Sequence, residues 1–195
     1  MSASPATSQT IDGLCAIITQ FHPRADTGLV RRAYAFAEAA HRGQKRASGE
    51  PYISHPLAAA HTLAEMRLEE PIIAAALLHD VPEDTERTLE EIEQAFGADI
   101  ASMVGGITKL GKIKYRGMER YIENLRKMFL AMAADVRVVF IKFADRLHNL
   151  QTLEHVPPKK QARIAMESLE IYAPIANRLG MGDMKGRLED AAFKY

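Results

Sequence analysis

The sequence predicts an all-α bundle of about ten helices. Apolar residues recur at the 3.6-residue spacing of amphipathic helices from residue 11 almost to the end of the chain. No segment shows the apolar–polar alternation of a half-buried strand, and prolines and glycines fall between the periodic segments. Hydrophobic residues make up 47% of the 195 positions, which is typical of a globular unit with its own core.

Capping residues and prolines mark where these helices begin. In chain order, the predicted starts are Ile11, Asp26, Ser54, Pro71, Thr88, Asp135 and Pro158. Thr88 and Glu91 also have the spacing of a capping box. The β-branched residues between positions 136 and 141 would suit a strand, but the helical spacing continues for four turns and favours a helix.

Loops are predicted where glycine, proline or polar residues interrupt the pattern. The polar residues 44–52 form one such segment. Because proline is unfavourable inside a helix, residues 81–87, which contain Pro82, are predicted to form another. The glycine- and lysine-rich residues 108–117 are predicted to break a helix, and Pro174 to kink or end one.

Composition excludes several classes of function. Lys plus Arg (25) equals Asp plus Glu (25), so the chain has no net positive charge to attract nucleic acid. Trp is absent, so the sequence offers few aromatic side chains on which bases could stack. The longest apolar run, residues 72–78, is too short to cross a bilayer. Residues 1–10 do not read as a secretion signal, and the single Cys15 suits a reducing compartment. We therefore expect a cytoplasmic protein that binds neither nucleic acid nor membranes.

Net neutrality conceals an uneven distribution of charge. Residues 62–99 contain eleven acidic and two basic side chains, whereas residues 109–127 contain seven basic and two acidic ones. One interpretation is two solvated faces of opposite sign. The other is a cationic stretch that attracts a polyanionic substrate towards an acidic metal site. The cations of that stretch are Lys109, Lys112, Lys114 and Arg116.

Four residues of the types that bind divalent cations are candidates for a metal site. The His79-Asp80 pair ends an apolar helix, where core packing gives little reason for an imidazole beside a carboxylate. His55 lies at the start of another predicted helix, and Asp145 lies on the helix behind Asp135. Imidazole nitrogen and carboxylate oxygen suit Mn²⁺, Fe²⁺ or Zn²⁺. The hypothesis requires that all four meet in the fold, since a single histidine is more commonly a surface or core residue.

These four residues resemble the H…HD…D signature of the HD-domain phosphohydrolase superfamily. Four longer segments resemble the hydrolase domain of the Rel/SpoT alarmone enzymes: RASGEPYISHP at 46–56, HDVPEDT at 79–85, FADRLHNL at 143–150 and IYAPIANRLG at 171–180. The last is similar to the long bifunctional enzymes. The resemblance implies a hydrolase domain at 26–195 after an N-terminal helix or extension at 1–25, in a fragment without the synthetase and regulatory domains.

The resemblance also implies an activity and a set of roles. Such domains hydrolyse ppGpp or pppGpp to GDP or GTP and pyrophosphate with one Mn²⁺, which ends or limits the stringent response. The implied metal ligands are His55, His79, Asp80 and Asp145. The implied catalytic pair is Glu83 and Asp84, and the implied substrate-binding residues are Arg46, Ser48, Asn149, Thr152 and Arg163. The implied partners are the nucleotide and, in the full-length chain, a C-terminal synthetase domain.

Within this resemblance, the two acidic residues are expected to take different roles in the proton transfers of phosphoester hydrolysis. Glu83 is expected to position or deprotonate the attacking water, and Asp84 to assist proton transfer to the leaving side. The chain departs from the family at Ala47, where lysine is common, and this removes one contact to the substrate. Lys45 is a candidate to replace that contact.

The remaining histidines near these motifs are assigned to structure. His148 lies next to the implied substrate-binding Asn149, but its position on the helix is expected to point it elsewhere. His41 and His61 are assigned to packing or to the surface.

Three alternatives stay open at this point. A related HD phosphohydrolase acting on another nucleotide, such as an NADPH phosphatase, would use the same metal site. An autoinhibited or alarmone-sensing domain would not turn over substrate, although all six implied metal and acidic residues are present. Alarmone synthesis has no support, since no second domain is left to hold ATP.

Overall fold

The structure is a computed structural model that describes residues 9–111 and 117–195. Over these ranges the chain forms twelve α-helical segments: α1 (Ile11–Phe21), α2 (Thr27–Ala40), α3 (Ser54–Glu65), α4 (Glu70–Leu78), α5 (Val81–Asp84), α6 (Leu89–Phe96), α7 (Ala98–Gly111), α8 (Gly117–Ala134), α9 (Val136–Gln151), α10 (Pro158–Glu167), α11 (Ala173–Arg178) and α12 (Gly182–Ala192). A 3₁₀ turn, Leu153–His155, follows α9. A π-helical turn, Ser168–Tyr172, joins α10 to α11 in one run.

The all-α prediction is confirmed. In the described part of the chain no strand is present, and one isolated antiparallel bridge joins Lys45 to Pro51. Because α5 is a single turn and α10 continues into α11, residues 9–111 and 117–195 contain ten longer helical runs, as predicted. None of the described helices combines the length and the apolar character needed to span a membrane.

Three predicted caps are confirmed. The Asp26 carboxylate accepts a hydrogen bond from the Leu29 amide at the start of α2, at 3.1 Å. Asp135 accepts one from the Arg137 amide at the start of α9, at 2.9 Å. Thr88 forms the complete capping box of α6 with the glutamate three residues later. Each cap satisfies an amide that the helix itself leaves unpaired, which fixes where the helix begins.

Three predicted boundaries differ from the structure. Residues 81–84 form α5 rather than a loop, because Pro82 occupies the first turn of that helix, where a missing N–H costs nothing. Ser54 is not a cap; it is the first residue of α3, and Ile53 precedes it without a capping bond. Helix α7 extends to Gly111, so residues 108–111 of the predicted break are helical, and residues 112–116 lie outside the described residues.

The core is centred on α4, which is buried along almost its whole length and packs against α2, α3 and α7. Helix α9 packs along α3 and contributes Phe143 and Leu147, which are fully buried. Helix α1 packs on α2 and α3 and adds Leu14 and Ile18 to the same core. The boundary between residues 25 and 26 stays a prediction. Since α4 and α9 both run through the interior, polar residues on or beside them meet deep inside the molecule.

Candidate active site

Four helices bring the four predicted metal ligands together. His55 lies in the first turn of α3, and Asp145 lies on the buried face of α9. His79 caps the C-terminus of α4, and Asp80 stands at the N-terminus of α5. Burial of the apolar helix α4 carries its C-terminal end into the core, which explains why an imidazole is 99% buried there.

The four side chains form one compact cluster. His79 Nε2 lies 3.0 Å from Asp80 Oδ1 and 4.0 Å from Asp145 Oδ1. His55 Nε2 lies 3.2 Å from Asp145 Oδ1 and 3.6 Å from Asp80 Oδ2. One donor atom from each of His55, His79 and Asp80 lies within 4.8 Å of the others. The described residues therefore include a His/His/Asp set able to hold a metal ion, with Asp145 beside it.

The orientation of His79 fits a metal ligand. Its Nδ1 donates to the Ala76 carbonyl oxygen at 2.7 Å, so the lone pair of the neutral ring is on Nε2. That Nε2 is buried and makes no hydrogen bond, because its approach to Asp80 lacks hydrogen-bond geometry. A divalent cation would satisfy this buried atom. The Ala76 carbonyl oxygen is the kind of partner that fixes the orientation of an imidazole that binds a metal.

Charges inside the cluster favour ionised carboxylates. Burial alone would raise the pKa of both carboxyl groups. The charge of His79 instead lowers the pKa of Asp80, and the charge of Lys142 lowers the pKa of Asp145. Burial alone would lower the pKa of His79, but in the metal-free cluster the neighbouring carboxylates, Asp80 first, raise it to about 9. A cation that binds His79 Nε2 would therefore displace a proton from the ring. Burial lowers the pKa of His55. The cluster thus supplies two anionic oxygens for a cation.

His148 belongs to the site, contrary to the expectation that it points elsewhere. Its Nδ1 lies 2.8 Å from Nδ1 of His55, so one of the two rings donates to the other. Burial, followed by the charge of His55, lowers the pKa of His148 to about 3, and its ring is neutral near pH 7. The missed signal is its position three residues after Asp145, which places both on one face of α9.

A chain of hydrogen bonds connects the cluster to a neighbouring cavity. Asp145 accepts from Lys142 Nζ at 2.5 Å and from Asn149 Nδ2 at 2.6 Å. The Asn149 amide oxygen in turn accepts from Arg46 Nη2 at 2.9 Å. Asn149, predicted to bind substrate, therefore contacts both a predicted metal ligand and a second predicted substrate residue.

The cavity has a volume of about 440 Å³ and a basic lining. All five predicted substrate-binding residues line it: Arg46, Ser48, Asn149, Thr152 and Arg163. The residues that sequence analysis left unassigned include Lys142, Arg146 and Lys160, and Lys45 also lies there as anticipated. Six Lys or Arg side chains face two acidic ones, Asp145 and Glu167, so the cavity suits an anionic ligand.

The predicted catalytic pair lies on α5, outside this lining. Glu83 and Asp84 line a second groove together with Gln44, and both side chains are exposed. Tyr52 connects Asp84 to the cluster, because its hydroxyl lies 2.9 Å from Asp80 Oδ2 and 2.5 Å from Asp84 Oδ2. Burial and the charge of Asp80 raise the pKa of Tyr52, so the hydroxyl keeps its proton.

Of the four cations predicted to attract the substrate, one lies among the residues that the structure describes in full. Lys109 lies near the end of α7 and lines a groove with Pro82 and Leu89, apart from the basic cavity. Lys112, Lys114 and Arg116 lie outside the described residues. The positive charge that the structure places beside the cluster comes instead from α9, α10 and the segment before α3.

Comparison with known protein families assigns this chain to a family. A profile of the HD domain matches residues 33–182. The chain belongs to the HD-domain family. The matched range includes all four residues of the cluster, so the HD domain of this chain contains the candidate site in full.

Curated relatives contain a similar HD domain within longer chains. A GTP pyrophosphokinase of Myxococcus xanthus is 48% identical over 182 residues, which are 91% of this chain and 24% of the relative. The bifunctional (p)ppGpp synthase/hydrolase SpoT of Escherichia coli K12 is 48% identical over 94% of this chain and 26% of its own. A probable guanosine-3′,5′-bis(diphosphate) 3′-pyrophosphohydrolase of Synechocystis is 52% identical over 86% and 22%. This chain spans about a quarter of the length of these relatives.

A solved structure shares the fold of this HD domain. It belongs to a metazoan orthologue of SpoT that is described as hydrolysing ppGpp. The two structures match over 85% of this chain and 92% of the other, with a TM-score of 0.59 and 23% sequence identity. The likeness confirms that the helices described above form an HD-type bundle.

Proposed function

We propose that this HD domain is a Mn²⁺-dependent guanosine-3′,5′-bis(diphosphate) 3′-pyrophosphohydrolase. The observation that carries the proposal is the buried His55/His79/Asp80 cluster, which Asp145 connects to a cavity lined by six cationic side chains. A metal cluster beside a polycationic cavity suits a substrate with several phosphates. The relatives named as hydrolases or synthases of this nucleotide supply its identity.

The four residues of the cluster would hold Mn²⁺. Bound there, the ion would lower the pKa of a coordinated water and screen the phosphate charge. His79 and His55 would donate through their Nε2 atoms, which both face the carboxylates. His148 and the Ala76 carbonyl oxygen hold the other sides of the two rings. Zn²⁺ or Fe²⁺ suit the same donors, and the assignment to Mn²⁺ rests on the family resemblance.

The cavity residues would bind and orient the nucleotide. Arg46, fixed by Asn149, presents a planar guanidinium that can stack on a base or pair with a phosphate. Lys160 and Arg163 on α10 supply charge on the opposite wall, with Thr152 and Ser48 as short hydrogen-bonding groups. Neutralising the phosphates in this way favours attack of water on a phosphorus that anionic oxygens otherwise shield.

The proposed reaction is an attack of water on the phosphorus bound to the ribose 3′-oxygen. The P–O3′ bond breaks, the 3′-oxygen takes a proton, and ppGpp plus water gives GDP plus pyrophosphate. We assign the positioning or deprotonation of water to Glu83 and the transfer of a proton to the leaving oxygen to Asp84. Both side chains lie on α5, one turn after Asp80, and are open to solvent.

The proposal also covers the setting of the reaction. The substrates would be ppGpp and pppGpp, and their hydrolysis would limit the stringent response in the cytoplasm. A C-terminal synthetase domain would be the partner in a full-length chain, as the bifunctional relative suggests.

The test is hydrolysis of ppGpp by metal-stripped protein with and without added Mn²⁺, with the products resolved by anion-exchange chromatography. We expect Mn²⁺-dependent release of GDP and pyrophosphate. Asp80→Asn should abolish it, whereas Asp183→Asn, an exposed aspartate of α12, should leave it unchanged. Orthophosphate as the product would assign another phosphatase activity, and ppGpp binding without turnover would indicate a sensing domain.

A further inference from the structure

We propose that Tyr52 is a positioning residue that fixes α5, and with it Asp84, against the metal cluster. The inference rests on the proposed function, because it concerns the residue to which that function assigns a proton transfer. The Tyr52 hydroxyl stands between Asp80 Oδ2, at 2.9 Å, and Asp84 Oδ2, at 2.5 Å. It thus joins a proposed metal ligand to Asp84, one member of the proposed catalytic pair.

The ring of Tyr52 is itself held in place. It stacks on the buried His41 imidazole, with the ring centroids 4.4 Å apart and the planes 14° from parallel. The guanidinium carbon of Arg46 lies 5.6 Å from the centroid of the same ring. Because a stacked and partly buried ring has little freedom, its hydroxyl is presented to the two carboxylates in one orientation.

A second side chain reaches α5 from the same segment. Gln44 Nε2 donates to the carbonyl oxygen of Asp84 at 2.7 Å. The Gln44 amide oxygen in turn accepts a hydrogen bond from His41 Nδ1 at 2.8 Å. Three residues, His41, Gln44 and Tyr52, therefore form a connected group, here called the α5 clamp, that holds both the backbone and the carboxylate of Asp84.

Helix α5 needs such a clamp, because one turn of helix is unstable by itself. Its internal support is four short-range hydrogen bonds: the Glu83 and Asp84 amides donate to Asp80 O at 3.1 and 2.9 Å, and the Thr85 amide and hydroxyl donate to Val81 O at 3.1 and 2.7 Å. Without the Tyr52 hydroxyl, the Asp84 carboxylate loses the hydrogen bond that holds it beside Asp80, and repulsion between the two carboxylates would move Asp84 towards solvent. A displacement of about 1 Å at a reacting group costs about 10²-fold in rate.

The test is Tyr52→Phe, which keeps the ring on His41 and removes only the hydroxyl. We expect kcat for ppGpp to fall about 10- to 100-fold at a Mn²⁺ concentration that saturates each variant, while KM stays unchanged. Gln44→Leu should lower kcat in the same way. The matched control is Tyr34→Phe, which removes a hydroxyl that donates to Glu38 at 3.0 Å on α2, outside the site.

A second readout does not depend on the substrate. Hydrogen exchange of the amides at residues 81–85 should become faster in Tyr52→Phe and stay unchanged in Tyr34→Phe. Full kcat in Tyr52→Phe at saturating Mn²⁺, or unchanged exchange at residues 81–85, would overturn the proposal. If the wild-type protein does not hydrolyse ppGpp, the proposed function fails, and hydrogen exchange alone then decides whether the α5 clamp exists.

Discussion

Asp145 is the residue on which most contacts of the site converge. Its carboxylate accepts from Lys142 and Asn149 on its own helix and lies within 3.2 Å of His55 Nε2 on α3. A buried carboxylate with fewer partners would carry a large desolvation penalty. Since Lys142 and Asn149 are three and four residues away, helix geometry alone supplies two of its partners.

His148 provides the first prediction at this scale. His148→Ala should weaken Mn²⁺ binding by about 10- to 100-fold, because the ring fixes the tautomer and the orientation of His55. Isothermal titration calorimetry of the metal-stripped protein measures the affinity. His22→Ala is the control, since His22 contacts the Arg67 carbonyl oxygen outside the site. Equal affinity in wild type and His148→Ala would show that His148 has no part in holding the ion.

Between helices, α7 packs tightly on α9 at a glycine. A Cβ atom at Gly106 would lie 2.8 Å from Cγ2 of Val138, a stiff and buried side chain. Gly106→Ala should therefore lower the free energy of unfolding by about 1–3 kcal/mol through overpacking. At Gly186 on α12 nothing lies within 4 Å of such a Cβ. Gly186→Ala should instead raise it by about 0.5–1 kcal/mol, and urea denaturation of both variants separates the two outcomes.

The N-terminus of α9 should depend on pH through Asp135. A hydrogen bond from Arg137 lowers the pKa of Asp135 below its usual value of 3.8, so its ionised form stabilises the fold above that pH. As the pH falls through the lowered pKa, this stabilisation is lost. Asp135→Ala should cost about 1 kcal/mol near neutral pH through loss of the cap.

The charge of Asp135 is isolated by Asp135→Asn, which retains a capping oxygen. Its deficit in unfolding free energy relative to wild type should be present at pH 7 and disappear as the pH falls below 3.8. Urea denaturation at a series of pH values measures it. A deficit that stays constant over the whole series would contradict the assignment.

Local signals in the sequence predicted most of the helices but not all of their ends. The caps at Asp26 and Asp135 depend on residues within one turn, so the sequence shows them directly. The turn 81–84 was predicted as a loop because proline disrupts the interior of a helix but is well tolerated in its first turn, where Pro82 lies. Only the position of the preceding helix, fixed by its burial, decides between the two.

The residues of the site were likewise predicted only in part. The resemblance placed all four cluster residues and all five cavity residues by number, and the structure brings each group together. Tyr52 and His148 were left without a role, because their contacts join residues 28 to 93 positions apart. Such contacts follow from tertiary packing, which local spacing does not show.

At the scale of the whole molecule, the cluster ties α3, the end of α4 and α9 together through residues far apart in the chain. A cation bound there would belong to the folded state alone, so Mn²⁺ should stabilise the domain. At 100 times its dissociation constant the gain is about 2.7 kcal/mol. Thermal denaturation should show a higher Tm with Mn²⁺ for wild type and no shift for Asp80→Asn. An equal Tm with and without the ion in the wild-type protein would contradict a Mn²⁺ site in this cluster.

Attack of water on the phosphorus bound to the ribose 3′-oxygen leaves an isotopic trace in the products. It is measured by mass spectrometry of the products when the Mn²⁺-loaded protein turns over ppGpp in ¹⁸O-labelled water. We expect one ¹⁸O atom in pyrophosphate and none in GDP, because the P–O3′ bond is the one that breaks. Labelled orthophosphate, labelled GDP, or no turnover with metal and nucleotide both bound would contradict it.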